Sequence, residues 1–230
     1  MGRHGRTIRR FSLLAALAVA GTVAASALAA VTVYKNDFSS KREVHELRPA
    51  EGRHCSRKWR RKSETVRISV KEGAGVCGYR PPVEGDTSRP DHDFGAKLRL
   101  LKDTPKALRD SAYLAVLVRS DKDSGYELRV FPSRHRFQLI RRPSGGGSDF
   151  PAKGTKSAIK DVGKPNVLRL AAVGDHVTAK VNGKRVARVT DSKPADVDGR
   201  KLEVAVGNKK HSDRAVLATI DDLKLQVPNP

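Results

Sequence analysis

The stretch Asn166–Val206, NVLRLAAVGDHVTAKVNGKRVARVTDSKPADVDGRKLEVAV, decides the fold. Its apolar runs are short: Val167–Val173, Val177–Val181, Arg185–Val189 and Leu202–Val206. Gly174-Asp175 separates the first pair, Asn182-Gly183 the second, and Asp198-Gly199 introduces the fourth run. Asn-Gly between alternating runs is a strong hairpin signal, because both central residues of a type I′ turn need positive φ. In Val177-Thr178-Ala179-Lys180-Val181 apolar and polar residues alternate, so one face is buried and the other meets water. The expectation is a four-stranded antiparallel meander, with Gly174, Asn182, Gly183 and Gly199 placed by its turns.

The same pattern extends outward in both directions. Glu64–Val70 sets Val66, Ile68 and Val70 against Thr65, Arg67 and Ser69, as a half-buried strand does. Strand character returns over Asp93–Leu101, and Ser111–Arg119 is almost continuously apolar, as in a strand covered on both sides. Tyr126–Val130 alternates, Pro132–His135 turns, Arg136–Ile140 returns, and Ala215–Val227 closes the chain as a final strand. Gly73–Pro90 is a long Gly/Pro-rich loop, and Ser144–Ser148, SGGGS, is a surface loop rather than an interdomain linker. The fold class is all-β: one antiparallel β-sandwich domain over residues 30–230.

Residues 1–29 read as a signal peptide or membrane anchor in helical form. MGRHGRTIRR is a basic leader, Phe11–Val33 carries no charge, and Ala27-Leu28-Ala29 fits a small-x-small cleavage site. A stretch of about 20 apolar residues also suffices to span a bilayer. Two features favour cleavage: Val31–Tyr34 already resembles a strand, and Lys35, Lys41 and Arg42 make the far flank basic. The expected location is secreted or extracytoplasmic, with residues 11–33 as the anchor if the leader stays; the membrane is otherwise not a partner.

The chain carries 46 Lys and Arg against 25 Asp and Glu. Removing the four arginines of residues 1–29 leaves 42 against 25, a net +17. Such a charge attracts polyanions and says nothing about fold. Nucleic acid is disfavoured, since export separates the chain from it and no recognition module is present. Cys55 and Cys77 are the two cysteines, and an even count in an exported chain implies a disulfide, with two buried free thiols as the alternative. Around Cys55 runs Arg53-His54-Cys55-Ser56-Arg57-Lys58-Trp59-Arg60-Arg61-Lys62. Arg57, Arg60 and Arg61 beside Trp59 suit an anionic polymer, with the indole stacking on a sugar or base. The plain alternative is that Trp59 plugs the core and the charges are solvated.

An ordered set of landmarks runs through the chain. These are Asn36-Asp37-Phe38, Tyr126-x-Leu128-x-Val130, Gln138-Leu139-Ile140-Arg141, Asn166-x-Leu168-x-Leu170, Gly174-Asp175, Val181-Asn182-Gly183, Val186-Ala187, Asp191, Gly199 and Ile220-Asp221-Asp222-Leu223. Over residues 31–227 they resemble the concanavalin A-like lectin/glucanase jelly roll, in its laminin-G-like and 3-keto-disaccharide hydrolase-type branch. The resemblance implies a sandwich whose members include glycosidases, lectins and interaction modules, and fold does not choose among them. It also admits calcium as a cofactor, for which Asp121 and Asp123 are the candidates; an Asx-rich turn is the competing reading.

The residues argue against catalysis. A retaining glucanase needs paired carboxylates about 5 Å apart, and no Glu-x-Asp-x-x-Glu strand occurs; Gly-x-Ser-x-Gly is absent too. Asp91-His92-Asp93 is the densest titratable cluster outside the basic run and reads as a polar loop. The candidate binding face is the concave sheet of the jelly roll, where alternation puts Glu127, Arg129, Arg136 and Gln138 outward, with Glu127 in a surface ion pair. Arginines there suit anionic sugars. The expected function is a non-enzymatic module binding carbohydrate or an anionic envelope polymer. The rival readings are a glycoside-processing enzyme of the 3-keto-disaccharide hydrolase type and a structural or protein-interaction domain.

Overall fold

A computed structural model describes residues 31–227 except 53, 72–74, 84–90, 122–123 and 198. The leader or anchor expected at residues 1–29 therefore lies outside the described residues, as do Arg53, Asp123 and Asp198. Strands are numbered in chain order. One sheet runs β13 (Lys184–Thr190), β12 (His176–Val181), β11 (Asn166–Val173), β6 (His92–Leu100), β15 (Val216–Val227), β4 (Thr65–Val70) and β3 (Cys55–Arg60). β1 (Val31–Asn36) pairs with the second half of β15 and makes it eight-stranded. The other, seven-stranded, runs β10 (Asp149–Thr155), β9 (Arg136–Arg142), β8 (Ser124–Phe131), β7 (Ala112–Asp121), β14 (Lys201–Asn208), β5 (Val76–Arg80) and β2 (Arg48–Glu51). Every pairing is antiparallel.

The two sheets close on one apolar core. Phe94, Leu98, Leu168, Leu170 and Ile220 come from the eight-stranded sheet, and Leu114, Val116, Leu128, Leu139 and Val204 from the seven-stranded one. Alternation drives this: in β6 every second residue from His92 to Leu100 is buried. β7 is buried over nine consecutive residues, as its continuous apolar run requires. Its outward Tyr113, Ala115 and Leu117 form a second small apolar cluster with Phe131 and Ala205.

The stretch Asn166–Val206 differs from the expectation in two respects. β11, β12 and β13 form the expected meander, turning at Gly174 (φ 56°) and at Asn182-Gly183 (φ 50° and 78°). The fourth run, β14, crosses to the other sheet and pairs with β7 and β5. The crossing is held by a buried polar clamp. The Tyr126 hydroxyl donates to Asp191, the Arg141 Nε donates to the same carboxylate at 2.6 Å, and the Lys193 amide donates to its other oxygen at 2.8 Å. Burial pushes the Asp191 carboxyl up, and these donors outweigh it, leaving it below its ordinary value. Gly199 is likewise not a turn residue: a Cβ there would lie 2.3 Å from the Arg119 carbonyl oxygen. It is small because two backbones meet.

Cys55 and Cys77 are bonded, S–S 2.00 Å, which links β3 of one sheet to β5 of the other. Asn36 shapes the start of the fold: its Oδ1 accepts from the Phe38 amide at 2.8 Å, turning Phe38 into the core at φ 56°.

Candidate functional site

Alternation on β8 and β9 carries Glu127, Arg129, Arg136 and Gln138 to the outer face of the seven-stranded sheet, as the sequence implies. Arg129 lies directly across from Gln138 on β9 and Ala115 on β7, and Phe131 across from Arg136. The floor between them is apolar: Tyr113, Ala115, Leu117, Phe131 and Ala205 are each at most 4% exposed. Long cationic stems cover it while their charged heads stay at the surface. The Arg129 guanidinium stands 4.5 Å from the Tyr113 ring centre, Arg136 4.5 Å from that of Phe131, and the Lys209 ammonium 5.4 Å from Phe131. Tyr113 lies flat across Gly207, where a Cβ would meet its hydroxyl oxygen at 2.3 Å.

Two acids sit in this face, and both are engaged. Glu127 is 2% exposed rather than at the surface, since Arg129 (2.5 Å) and Arg142 both reach its carboxylate. Glu203 is equally buried and faces Arg80 at 3.8 Å. Glu127 thus holds two guanidiniums in place. Lys209 donates to the Gln138 side-chain oxygen at 3.0 Å. Partial burial, then Arg129 and Arg136, pull the Lys209 ammonium below its ordinary pKa against the attraction of Glu127.

The other candidates are not brought here. Arg57 and Trp59 lie on β3, in the opposite sheet. Arg57 donates to the Leu47 carbonyl and its guanidinium stands 5.5 Å from the Tyr79 ring centre. Trp59 is half-buried against the core and its Nε1 donates to the Phe38 carbonyl at 3.0 Å, so its ring plugs an edge of the sandwich. Arg60 and Arg61 are exposed at the end of β3. Asp121 pairs with Lys201 at 2.5 Å, and Asp123 lies outside the described residues. Asp91, His92 and Asp93 part company: Asp91 accepts from Arg119 and the Gly174 amide, His92 points into the core, and Asp93 points outward to Arg169.

Sequence reasoning missed Tyr113, Phe131, Arg142, Glu203 and Lys209. Strand parity was the available signal for the first four, once β7, β8, β9 and β14 are known to be neighbours. Lys209 follows β14 in a loop, and no sequence signal places it.

No family model matches the sequence, and no curated protein matches it significantly. Among solved structures, the chain is similar to the carbohydrate-binding module CBM66 from Bacillus subtilis, at 15% identity and TM-score 0.57, covering 79% of this chain and 95% of that one. It is also similar to a Bacillus subtilis protein of unknown function with a galectin-like fold (11%, TM-score 0.58, 86% and 97% covered). A third similar structure is the Crh5 transglycosylase in complex with NAG (10%, TM-score 0.60, 86% and 84% covered). The fold is a galectin-like, jelly-roll β-sandwich. At these identities the likeness establishes the fold and leaves ligand and activity to the site itself.

Proposed function

We propose that the protein is an exported, non-enzymatic binding module of the concanavalin A-like class, in its laminin-G-like and 3-keto-disaccharide hydrolase-type branch. Its ligand is a carbohydrate with anionic groups or a similar acidic envelope polymer. One observation carries this reading: Arg129, Arg136, Arg142 and Lys209 gather over an aromatic floor, beside acids already engaged by guanidiniums. Carboxylated or sulfated sugars match both the cations and the adjoining amide of Gln138. The disulfide accords with an oxidising compartment, and the CBM66 likeness accords with a sugar ligand. Residues 1–29 supply export in this reading, as a cleaved leader or as an anchor over residues 11–33. A glycan and polyanion array, run with and without calcium, tests it. Saturable binding of acidic glycans that weakens from low to moderate salt is expected. No saturable binding at physiological salt would favour a structural or protein-interaction domain.

One observation favours a second reading as a glycoside-processing enzyme. Glu127 and Glu203 share a face with one strand between them, about 10 Å apart by strand spacing. That backbone spacing approaches the carboxyl separation of acid and base in inverting glycosidases, roughly 6.5–9.5 Å, while the side chains lean apart, Glu127 to Arg142 on β9 and Glu203 to Arg80 on β5. Their burial in ion pairs weighs against it. Release of reducing sugar from candidate glycans, abolished by Glu127→Gln, would establish it.

A further inference from the structure

The outer face of the eight-stranded sheet, opposite the arginine face, carries a depression around Gly95. Gly95 stands midway along β6 and faces outward. Its partners across the strands are Arg169 on β11 and Lys224 on β15. In an ordinary sheet all three side chains of such a row cover the backbone. Gly95 has none, and Arg169 leaves the row. Its guanidinium donates to both oxygens of Asp93 (2.5 and 2.6 Å) and to Oε1 of Gln226 (2.5 Å). On the other side of Gly95, Lys97 is drawn to Asp221 (2.6 Å) and Asp222 (3.7 Å). Those two acids occupy a bulge in β15, where the register against β6 shifts between Ile220 and Leu223.

The two polar groups therefore stand apart, with the bare Gly95 backbone between them and Lys224 at the β15 end of its row. Asp93 and Lys97 are four residues apart, about 13 Å along the strand. The depression has a volume of about 380 Å³, and Val167, 45% exposed, lines one wall. A Cβ on Gly95 would meet the Leu168 carbonyl oxygen at 3.2 Å, so the backbone accepts a small side chain with slight adjustment. A larger one would fill the space.

We propose that this depression is a second carbohydrate subsite, which takes a neutral, hydroxyl-rich sugar ring laid on the Gly95 backbone between Arg169–Asp93–Gln226 and Lys97–Asp222. Arg169 and Lys97 are each matched by a carboxylate, so this part of the rim presents donors and acceptors side by side, and Lys35 and Lys224 add ammonium donors among the lining residues. An anion entering would face Asp93 and Asp222, and a cation would face Arg169 and Lys97. Sugar hydroxyls both donate and accept, and satisfy such a rim from either direction. The C–H face of the ring meets Val167 and the bare backbone, which matches the usual composition of a sugar or cofactor site: apolar walls with a few placed polar groups. The subsite does not depend on the arginine face and differs from it in the charge of the ligand it selects.

The test uses the full chain titrated with a panel of neutral disaccharides, read by ligand-observed NMR and calorimetry. Gly95→Val fills the depression with a residue suited to strands. Asp93→Asn removes a rim charge and leaves the backbone untouched, so it serves if the valine variant fails to fold. Arg136→Ser with Lys209→Ser alters the opposite face. The expected result is saturable binding of a neutral disaccharide, weakened at least tenfold by Gly95→Val and severalfold by Asp93→Asn, and unchanged in the arginine-face variant. The subsite is overturned by any of three outcomes: no neutral sugar binds at millimolar concentration, binding survives Gly95→Val, or binding is lost in the arginine-face variant instead. A failure of acidic-glycan binding alone would bear on the arginine face and leave this subsite standing.

Discussion

The basic run on β3 and the arginines of the seven-stranded sheet are both dense in positive charge, and they are built for different work. Along β3 the cations are neighbours in sequence, so alternation sends them to opposite sides. Arg57 and Trp59 turn inward to the Leu47 and Phe38 carbonyls, and Arg60 points to solvent. Arg129 on β8 and Arg136 and Arg142 on β9 converge because a sheet aligns the same face of successive strands, and Lys209 joins them from the loop after β14. A run of charge in sequence disperses on a strand. A site needs parity and register.

The comparison can be broken first on its β3 side. Replacing Cys55 and Cys77 by alanine should cost about 3 kcal/mol of stability for a loop of this length, read by denaturant unfolding. Trp59→Ala should cost about 2 kcal/mol, less than a fully buried tryptophan because the ring is half-covered. Acidic-glycan affinity should be unchanged in both variants wherever they remain folded. A tenfold loss of affinity on removing Trp59 would return the β3 region to the binding site.

Acid sensitivity sharpens the contrast by placing a comparable effect in neither region. His92 is 1% exposed, and neither ring nitrogen has a hydrogen-bond partner among the described residues. Burial, then the nearby Arg119, push it down to about 4, against the opposing pull of Asp91. The folded state therefore binds the proton less readily than the unfolded chain. Stability is full above the unfolded value near 6.5 and falls as pH drops from there toward 4, by about 3 kcal/mol in all. His92→Phe should flatten that part of the curve of unfolding free energy against pH. An unchanged slope would show that other groups carry it.

The smaller effects lie in binding. Arg136→Ser with Lys209→Ser should weaken acidic-glycan binding at least tenfold, about 1.4 kcal/mol. Arg60→Ser with Arg61→Ser should change stability by no more than about 0.5 kcal/mol, as exposed substitutions do, and affinity by less than twofold.

Much of the fold was legible because alternation and turn chemistry are local. Val177–Val181, Thr65–Val70 and the Asn182-Gly183 turn are all where their patterns put them. The assignment of β14 to the other sheet was not legible, since four apolar runs at similar spacing look alike whichever sheet they join. The crossing depends on the Tyr126–Asp191–Arg141 clamp, whose members are distant in sequence. The same limit governs the site. Parity within β8 and β9 gave Glu127, Arg129, Arg136 and Gln138, whereas Tyr113, Phe131 and Lys209 require knowing which strands and loops are neighbours. Gly95 carries a sequence signal of its own, since a lone glycine inside a strand pattern marks a place where something approaches the backbone.

The most direct test is a salt titration of acidic-glycan affinity on three proteins: the unaltered chain, Arg136→Ser/Lys209→Ser, and Arg60→Ser/Arg61→Ser. Each double variant loses two positive charges, so the long-range field falls alike and only the position differs. The arginine-face pair should lose at least tenfold in affinity and flatten the salt dependence, while the β3 pair follows the unaltered chain. Equal losses in the two variants would show that binding follows net charge alone, and would contradict a site on the seven-stranded sheet.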